Sequence, residues 1–240
     1  MLHIQSVTKN FGGIVALDRV SFSVNGGDFI GLIGPNGSGK TTLFNIITGV
    51  LKPSSGKITF MGQDITSHIP HMICHAGICR TFQIPKPFKK LNVLENVMAA
   101  TWFGKKGTIL SENQAREDSL RLIDFVGLNA DKQTMPGNLG IIDLRILELA
   151  RALATRPRLL LIDEVMSGLN QEEAQKASSV LKRICYEMGI TIIWVEHIMD
   201  VLMKVVKRVV VLDHGDVIAD GTPSEISGDK RVIEAYLGKE

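Results

Sequence analysis

A glycine-rich segment that directly follows a short apolar run carries the residues with the clearest chemistry. Gly34, Gly39, Lys40 and Thr41 match the spacing G-x-x-x-x-G-K-[ST], between a predicted strand at Phe29 to Ile33 and a predicted helix. The glycines let successive backbone N–H groups converge, and the helix N-terminus adds a positive field. The pattern predicts a loop that binds the phosphates of a nucleoside triphosphate. A glycine-rich turn that binds nothing is the alternative, and the strand and helix around the loop argue against it.

Two carboxylates at the end of another apolar run supply what phosphate hydrolysis needs. Arg158 to Ile162 predicts a buried strand that delivers Asp163 and Glu164 at its end. Asp163 is placed to hold Mg²⁺ together with the Thr41 hydroxyl, and Glu164 is the candidate general base. Helix capping or a surface ion pair is the alternative for the two acids.

Two further polar residues follow predicted strands. His197 comes just after the apolar run Thr191 to Val195, and Gln83 ends a predicted strand that begins at Gly77. Strands alternating with helices imply a mostly parallel α/β sheet, with ligands at the carboxyl ends of its strands. We therefore expect His197 to contact the γ-phosphate and Gln83 to complete the shell around Mg²⁺ or the attacking water. Alone, a histidine at such a place is more often structural, and Gln83 is the least specific of these assignments.

The middle of the chain differs in pattern from its flanks. Residues 84–155 read as helical, whereas residues 1–83 and 156–240 alternate strand and helix, so we expect a helical lobe inserted in a nucleotide-binding core. Two further strands are predicted at Leu2 to Val7 and Arg19 to Val24. Helices are predicted to begin after Asn92 and after Ser111, where Gln114 completes a capping box, and to run from Ile141 to Arg156 and from Gln171 to Met188. An exposed hairpin is predicted to pair Arg208 to Leu212 with Asp216 to Ala219.

Composition limits the remaining possibilities. At 240 residues with a net charge of +2, the chain has no overall field that would attract nucleic acid. Its apolar runs are far shorter than the roughly 20 residues of a membrane span, and residues 1–11 lack a signal-peptide core. Three cysteines make no disulfide framework, so we expect a reducing, cytosolic setting. Any membrane association must then come through a partner.

A group of histidines and cysteines raises the question of a metal site. Its members are His68, His71, Cys74, His75 and Cys79. Some of the spacings place two of them on one helix face, but none matches a zinc pattern. A short helix with solvent-exposed histidines is the expectation.

Together these segments resemble the nucleotide-binding subunit of an ABC transporter. GPNGSGKTT, TFQ, LLLIDE, SGLN and VEH occur in that family's order and spacing, and LNVLENVMAA with the closing GTPSEI is most similar to the importer ATPase of the branched-chain amino acid class. The resemblance spans essentially the whole chain. It implies a P-loop NTPase core with an antiparallel N-terminal β-subdomain, an inserted helical subdomain, and two cassettes that close head-to-tail around two ATP molecules. A soluble ABC ATPase of DNA repair or translation does not fit, because the chain has neither a long insertion nor a second cassette.

The resemblance also implies roles for individual residues. Phe11 stacks on adenine with Val15 beside it, Glu164 is the base, and His197 is the switch histidine. The residues implied to hold the phosphates are Gly34, Pro35, Asn36, Gly37, Ser38, Gly39, Lys40, Thr41 and Thr42, and those implied to serve Mg²⁺ are Thr41, Gln83 and Asp163. Gln83 and residues 84–100 are expected to receive a membrane subunit, which places the chain peripherally on the cytoplasmic face of the membrane, beside a second ATP-binding subunit.

One motif departs from the family pattern. The signature, usually Leu-Ser-Gly-Gly-Gln, falls on Leu139 to Asp143, where Gly140 lacks the serine hydroxyl and two isoleucines stand where backbone approaches a phosphate. Losing two or three charge-assisted hydrogen bonds of roughly 1.5–3 kcal/mol each would weaken a site built on this signature. Asymmetric paired sites are therefore expected. The alternative is a regulatory module that dimerises with ATP but hydrolyses it poorly.

Overall fold

The computed structural model describes residues 1–104, 110–166, 168–196 and 198–237, and the fold consists of two sheets with helices packed on them. In chain order the strands are β1 (Leu2–Phe11), β2 (Ile14–Val24), β3 (Phe29–Ile33), β4 (Ser55–Phe60), β5 (Gln63–Asp64), β6 (Ile78–Arg80), β7 (Leu159–Asp163), β8 (Thr191–Val195), β9 (Arg208–Asp213) and β10 (Asp216–Gly221). The helices are α1 (Lys40–Ile47), α2 (Pro70–Ala76), α3 (Val93–Phe103), α4 (Glu112–Phe125), α5 (Ile141–Ala154), α6 (Gln171–Tyr186), α7 (Met199–Met203), α8 (Pro223–Gly228) and α9 (Lys230–Leu237), with a 3-10 turn at Pro136–Asn138.

The larger sheet has the order β10-β9-β3-β8-β7-β6 and is parallel except for β10. The smaller sheet, in the order β2-β1-β4-β5, is antiparallel. The mostly parallel sheet is thus confirmed. Its strands β3, β7 and β8 are buried along their whole length, as continuous apolar runs predict.

Two layers of apolar side chains cover the two faces of the larger sheet. Phe29 and Ile33 of β3 lie in the same buried layer as helices α3 to α6, whereas Ile30 and Leu32 pack towards α1 and the antiparallel sheet. Alternate residues of a strand point to opposite faces, so one short strand joins both layers. The carboxyl ends of β3 and β7, where the candidate site lies, are therefore anchored from both sides.

Local sequence signals place several helix ends correctly. Asn92 caps α3 and Ser111 caps α4, and each capping side chain accepts a hydrogen bond from the backbone N–H three residues on. Helices α3, α4 and α5, which lie between β6 and β7 along the chain, pack against one another. The exact division at residues 83/84 and 155/156 stays a prediction.

Two predicted elements are wrong in detail. The hairpin of β9 and β10 is exposed only along its edge strand β10, because β9 pairs in parallel with β3 inside the larger sheet and Val209 to Leu212 are fully buried. The strand predicted for Gly77 to Gln83 ends at Arg80, because the Phe82 N–H turns away from the sheet and donates to Glu148 Oε1 at 2.6 Å. Gln83 therefore lies in a loop.

Three further observations bear on the sequence analysis. No helix among the described residues is long and apolar enough to span a bilayer. The predicted short helix at the histidine and cysteine cluster is confirmed as α2, with His71 and His75 exposed. In the same described ranges, no three His, Cys, Asp or Glu side chains converge in a way that could hold a metal ion.

Candidate active site

The loop between β3 and α1 folds so tightly that two of its glycines have no room for a side chain. Gly34 has φ +151°, and a Cβ there would overlap the Leu212 carbonyl oxygen. Gly39 has φ +107°, and a Cβ there would lie 2.7 Å from the Ala16 carbonyl oxygen. Left-handed backbone and close approach both demand glycine, so the sequence folds this way because these residues lack a Cβ.

Lys40, the first residue of α1, lies folded back into this loop. Its ammonium Nζ donates to the carbonyl oxygens of Gly34 at 2.7 Å and Pro35 at 2.9 Å, and to Ser38 Oγ at 3.2 Å. Burial lowers the pKa of Lys40, while the nearby carboxylates of Glu164 and Asp163 act in the opposite direction. These bonds hold a positive charge at the mouth of the loop, where an anion would bind.

A cavity of about 180 Å³ joins the loop to the general-base candidate. It is lined by Ala16, Asn36, Gly37, Gly39, Lys40, Thr41, Thr42 and Glu164. The structure therefore brings together most of the predicted phosphate-binding residues and the carboxylate predicted to activate water. Ala16 was not predicted, since nothing in its apolar surroundings marks it.

Phe11 and Val15 do not line this cavity. Phe11 ends β1 and Val15 lies near the start of β2, and their side chains are 46% and 52% exposed. The Lys9 ammonium lies 5.1 Å from the centroid of the Phe11 ring. The predicted adenine-stacking ring is thus accessible, and its role stays a prediction.

Glu164 and Gln83 contact each other directly. Gln83 Nε2 donates to Glu164 Oε2 at 2.5 Å, although the two residues are 81 positions apart in the chain. The Glu164 backbone has φ +48°, an unfavourable conformation for this residue type, and its N–H donates to the Val195 carbonyl oxygen at 2.9 Å. Strain of this kind persists only where the surroundings fix it, and it is frequent at functional sites.

Asp163 is buried beside an arginine that the sequence analysis missed. Arg80 Nη2 donates to Asp163 Oδ2 at 2.6 Å, and the Thr81 hydroxyl accepts from the Asp163 N–H at 3.3 Å. Among the described residues, Asp163 Oδ1 accepts no hydrogen bond. In the sequence, the feature that could have indicated Arg80 is its charge at the end of an otherwise apolar strand.

The carboxylate, amide and hydroxyl of Asp163, Gln83 and Thr41 are hard oxygen donors, the kind that Mg²⁺ prefers. Asp163 Oδ1 supports that fit, because among the described residues only Oδ2 accepts a side-chain hydrogen bond, which leaves Oδ1 available to a cation. A magnesium ion would thus find one oxygen of Asp163 held by Arg80 and the other available.

Glu148 is a second functional candidate that the sequence analysis missed. It lies on α5 and accepts hydrogen bonds from the Phe82 N–H at 2.6 Å and from the Lys86 N–H at 3.2 Å. Burial raises the pKa of its carboxyl, an effect that these backbone donors and the Arg151 charge oppose. In the sequence, the feature that could have indicated Glu148 is its place as an acidic residue within the apolar run Leu147 to Leu149.

The last two predicted features are the segment around His197 and the degenerate signature. His197 is outside the described residues, and so is Ser167 of the SGLN segment. Glu196, next to His197, is buried and accepts from the Met166 N–H at 2.8 Å. At the degenerate signature, Gly140 is the N-cap of α5 without a side-chain cap, and Ile141 is 57% exposed.

Comparison with known proteins identifies the fold and the family. The family model described as ABC transporter matches residues 17–167, and that of the branched-chain amino acid ATP-binding cassette transporters matches residues 217–240. The chain belongs to the ABC transporter family. The resemblance stated from the motifs is thereby confirmed, and so is the ATPase activity it implies, hydrolysis of ATP coupled to transport.

Relatives of this ABC ATPase match it over its whole length. It is 37% identical to the probable branched-chain amino acid transport ATP-binding protein LivG of Archaeoglobus fulgidus, covering 99% of this chain and 95% of that protein. A nucleotide-free ATP-binding cassette from an ABC transporter superposes with a TM-score of 0.89 at 33% identity, covering 100% and 99% of the two chains. A dimeric cassette in a post-hydrolysis state bound to ADP and phosphate gives a TM-score of 0.83 at 27% identity, covering 93% and 99%. The predicted cassette fold is confirmed by these superpositions.

Proposed function

We propose that this chain powers the import of branched-chain amino acids, by hydrolysing Mg²⁺–ATP on the cytoplasmic face of the membrane. The observation that carries the chemistry is the single cavity shared by Lys40, the Gly34–Thr42 loop and Glu164. Full-length similarity to a protein named for branched-chain amino acid transport supports the solute class. The solute itself is selected by other subunits, so this part of the proposal depends on similarity alone.

The residues divide the work of hydrolysis among them. The loop N–H groups and the Lys40 ammonium bind and orient the phosphates, and Phe11, with Val15 beside it, stacks on the adenine. Glu164 accepts the proton of the attacking water, while Gln83, bonded to it at 2.5 Å, fixes the direction of the carboxylate. Thr41, Gln83 and Asp163 would hold Mg²⁺, which would neutralise phosphate charge.

His197 is proposed to contact the γ-phosphate. The neighbouring Glu196 is fixed by the Met166 N–H, two residues past Glu164, so the segment that leads to His197 is anchored close to the general base. That anchoring supports the proposal.

The dimer is proposed to be asymmetric in its two ATP sites. The dimeric cassette among the solved relatives supports pairing with a second ATP-binding subunit. In this chain Gly140, the N-cap of α5, provides no side-chain cap, and the exposed Ile141 stands where a small residue would let the backbone approach a phosphate. The phosphate-binding loop, Asp163 and Glu164 of this chain would then work against the signature of a different partner. We expect slow turnover from a purified homodimer and faster turnover from the mixed complex; brisk, equal turnover by the homodimer would contradict the asymmetry.

Membrane subunits of the transporter are proposed to dock near Gln83 and residues 84–100. Large apolar side chains are exposed there, with Phe82, Ile84 and Phe88 at 41%, 73% and 50% exposure. A cluster of this kind on a water-soluble surface indicates a contact surface for another protein.

Glu164→Gln is the experiment that tests the proposed chemistry. The amide keeps the size of the side chain but cannot accept a proton, so ATP affinity should stay within about twofold while turnover falls by roughly 10²–10⁴. Calorimetry measures the affinity, and phosphate release measures the turnover. Glu187→Gln, which removes an exposed carboxylate paired with Arg183 on α6, is the matched control and should change neither. Unchanged turnover in Glu164→Gln would remove Glu164 from its role, and a wild-type chain without affinity for Mg²⁺–ATP would refute the proposed function.

A further inference from the structure

We propose that Arg80 is a positioning residue that sets the geometry of the magnesium site by cross-linking α1 to Asp163. This inference depends on the proposed function, since it concerns the metal that accompanies ATP. Arg80 ends β6, and its guanidinium is almost fully buried, with only 7% of the side chain exposed.

The two ends of the guanidinium fork bind two different elements. Nη2 donates to Asp163 Oδ2 at 2.6 Å, at the end of β7, and Nη1 donates to Asn45 Oδ1 at 2.6 Å, on α1. The N-terminus of α1 carries Thr41, the hydroxyl proposed for Mg²⁺. Arg80 therefore ties together the two elements that bring Thr41 and Asp163 to the metal.

Two aromatic rings lie close to the Arg80 guanidinium. The Arg80 Cζ atom lies 5.5 Å from the centroid of the Phe44 ring and 5.2 Å from that of the Phe82 ring. Stacking of this kind favours a flat guanidinium over an ammonium. Arg80 is thus held by groups other than Asp163, so it acts as a fixed donor and does not have to leave when the metal arrives.

The remaining nitrogen of the Arg80 guanidinium is left unsatisfied. Nε is buried and finds no hydrogen-bond partner among the described residues. An unsatisfied buried donor is unfavourable, and such groups persist where the geometry serves another purpose. The consequence at Asp163 is that Oδ2 is occupied and Oδ1 alone is presented to the cation.

Arg80→Lys tests the inference, because it keeps the positive charge beside Asp163 and removes the planar fork. Losing a residue that orients a metal ligand typically costs about 10- to 100-fold in metal affinity. We expect the Mg²⁺ concentration that half-saturates the Mg²⁺-dependent gain in ATP affinity to rise by that factor, measured by calorimetry. ATP affinity in EDTA should stay within about twofold, because the loop contacts are unchanged.

Two more variants make the test decisive. Asn45→Ala leaves the Arg80–Asp163 pair intact but frees it from α1, and it should raise the Mg²⁺ requirement in the same direction by a smaller factor. Arg208→Lys is the matched control, because Arg208 forms a similar fork on Asp220, at 2.7 and 2.6 Å, away from the site; it should not change the requirement.

The outcomes separate this inference from the proposed function. If Arg80→Lys binds ATP in EDTA like the wild type and keeps the wild-type Mg²⁺ requirement, the inference is overturned and the proposed function stands. If Arg80→Lys does not fold, a wild-type requirement in Asn45→Ala overturns it instead. If the wild-type chain has no Mg²⁺-dependent affinity for ATP, the proposed function fails, and this inference fails with it.

Discussion

Replacing Gly39 with alanine probes how closely the phosphate-binding loop fits the strands around it. Gly39 has φ +107°, a conformation that costs an L-residue about 1–2 kcal/mol. The new Cβ would also lie 2.6 Å from Leu17 Cδ2 and 2.7 Å from the Ala16 carbonyl oxygen. Leu17 is fully buried and Ala16 presents backbone, so neither can move freely, and overpacking adds about 1–3 kcal/mol. Gly39→Ala is expected to lower the free energy of unfolding by about 2–5 kcal/mol.

Urea unfolding of Gly39→Ala beside Gly37→Ala separates the two contributions. Gly37 lies in the same loop with φ +82°, but a Cβ there meets no atom within 4 Å, so only the conformational cost of about 1–2 kcal/mol applies. Gly39→Ala should also bind ATP more weakly than Gly37→Ala, because its loop must shift to relieve the contacts. Equal losses of stability in the two variants would refute the reasoning, since the crowding at Gly39 would then carry no cost.

Two further predictions concern buried ionisable groups. Burial raises the pKa of the Glu148 carboxyl above its usual 4.5, so the folded state keeps this proton at a pH where the unfolded chain has lost it. The unfolding free energy of the wild type should therefore fall as the pH rises from 4.5 through the raised pKa. Urea titrations across that range should show a weaker dependence of the unfolding free energy on pH for Glu148→Gln. The same pH dependence in both proteins would contradict the assignment. Burial also raises the pKa of the Cys79 thiol to about 11. At pH 8, iodoacetamide should label Cys79 far more slowly in the native chain than in urea, as mass spectrometry of its peptide would measure; equal rates would show that the thiol is accessible.

Elements whose signals are local could be predicted from the sequence, and this includes the heart of the site. The apolar run of β3, the glycine pattern after it and the carboxylates at the end of β7 are each contained in a few consecutive residues. Their meeting at one sheet edge follows from the parallel order of the strands. The capping residue Asn92 was predictable for the same reason, since its partner is the backbone three residues on.

Contacts between distant parts of the chain could not be predicted in this way. Arg80 meets Asp163 across 83 positions, and Glu148 meets Phe82 across 66. Both are charged residues in apolar segments, but sequence spacing does not say which distant group they pair with. The prediction that β9 is exposed was wrong for a related reason. The sequence pattern of a hairpin is local, whereas the pairing of β9 with β3 joins distant parts of the chain.

The segment from Arg80 to Phe88 connects the chemistry to the proposed docking surface. At one end of it, Arg80 binds the Asp163 carboxylate, and Gln83 binds the neighbouring Glu164, the proposed general base. Glu148 on α5 accepts a hydrogen bond from the backbone N–H of Phe82, which lies between these two residues. Ile84 follows them and is exposed on the surface where a membrane subunit is proposed to bind. Because a single short segment makes all of these contacts, a partner that displaced it would also change the 2.5 Å bond between Gln83 and Glu164. If the proposed docking is correct, we expect movement of the membrane subunit to change the orientation of the Glu164 carboxylate through this segment.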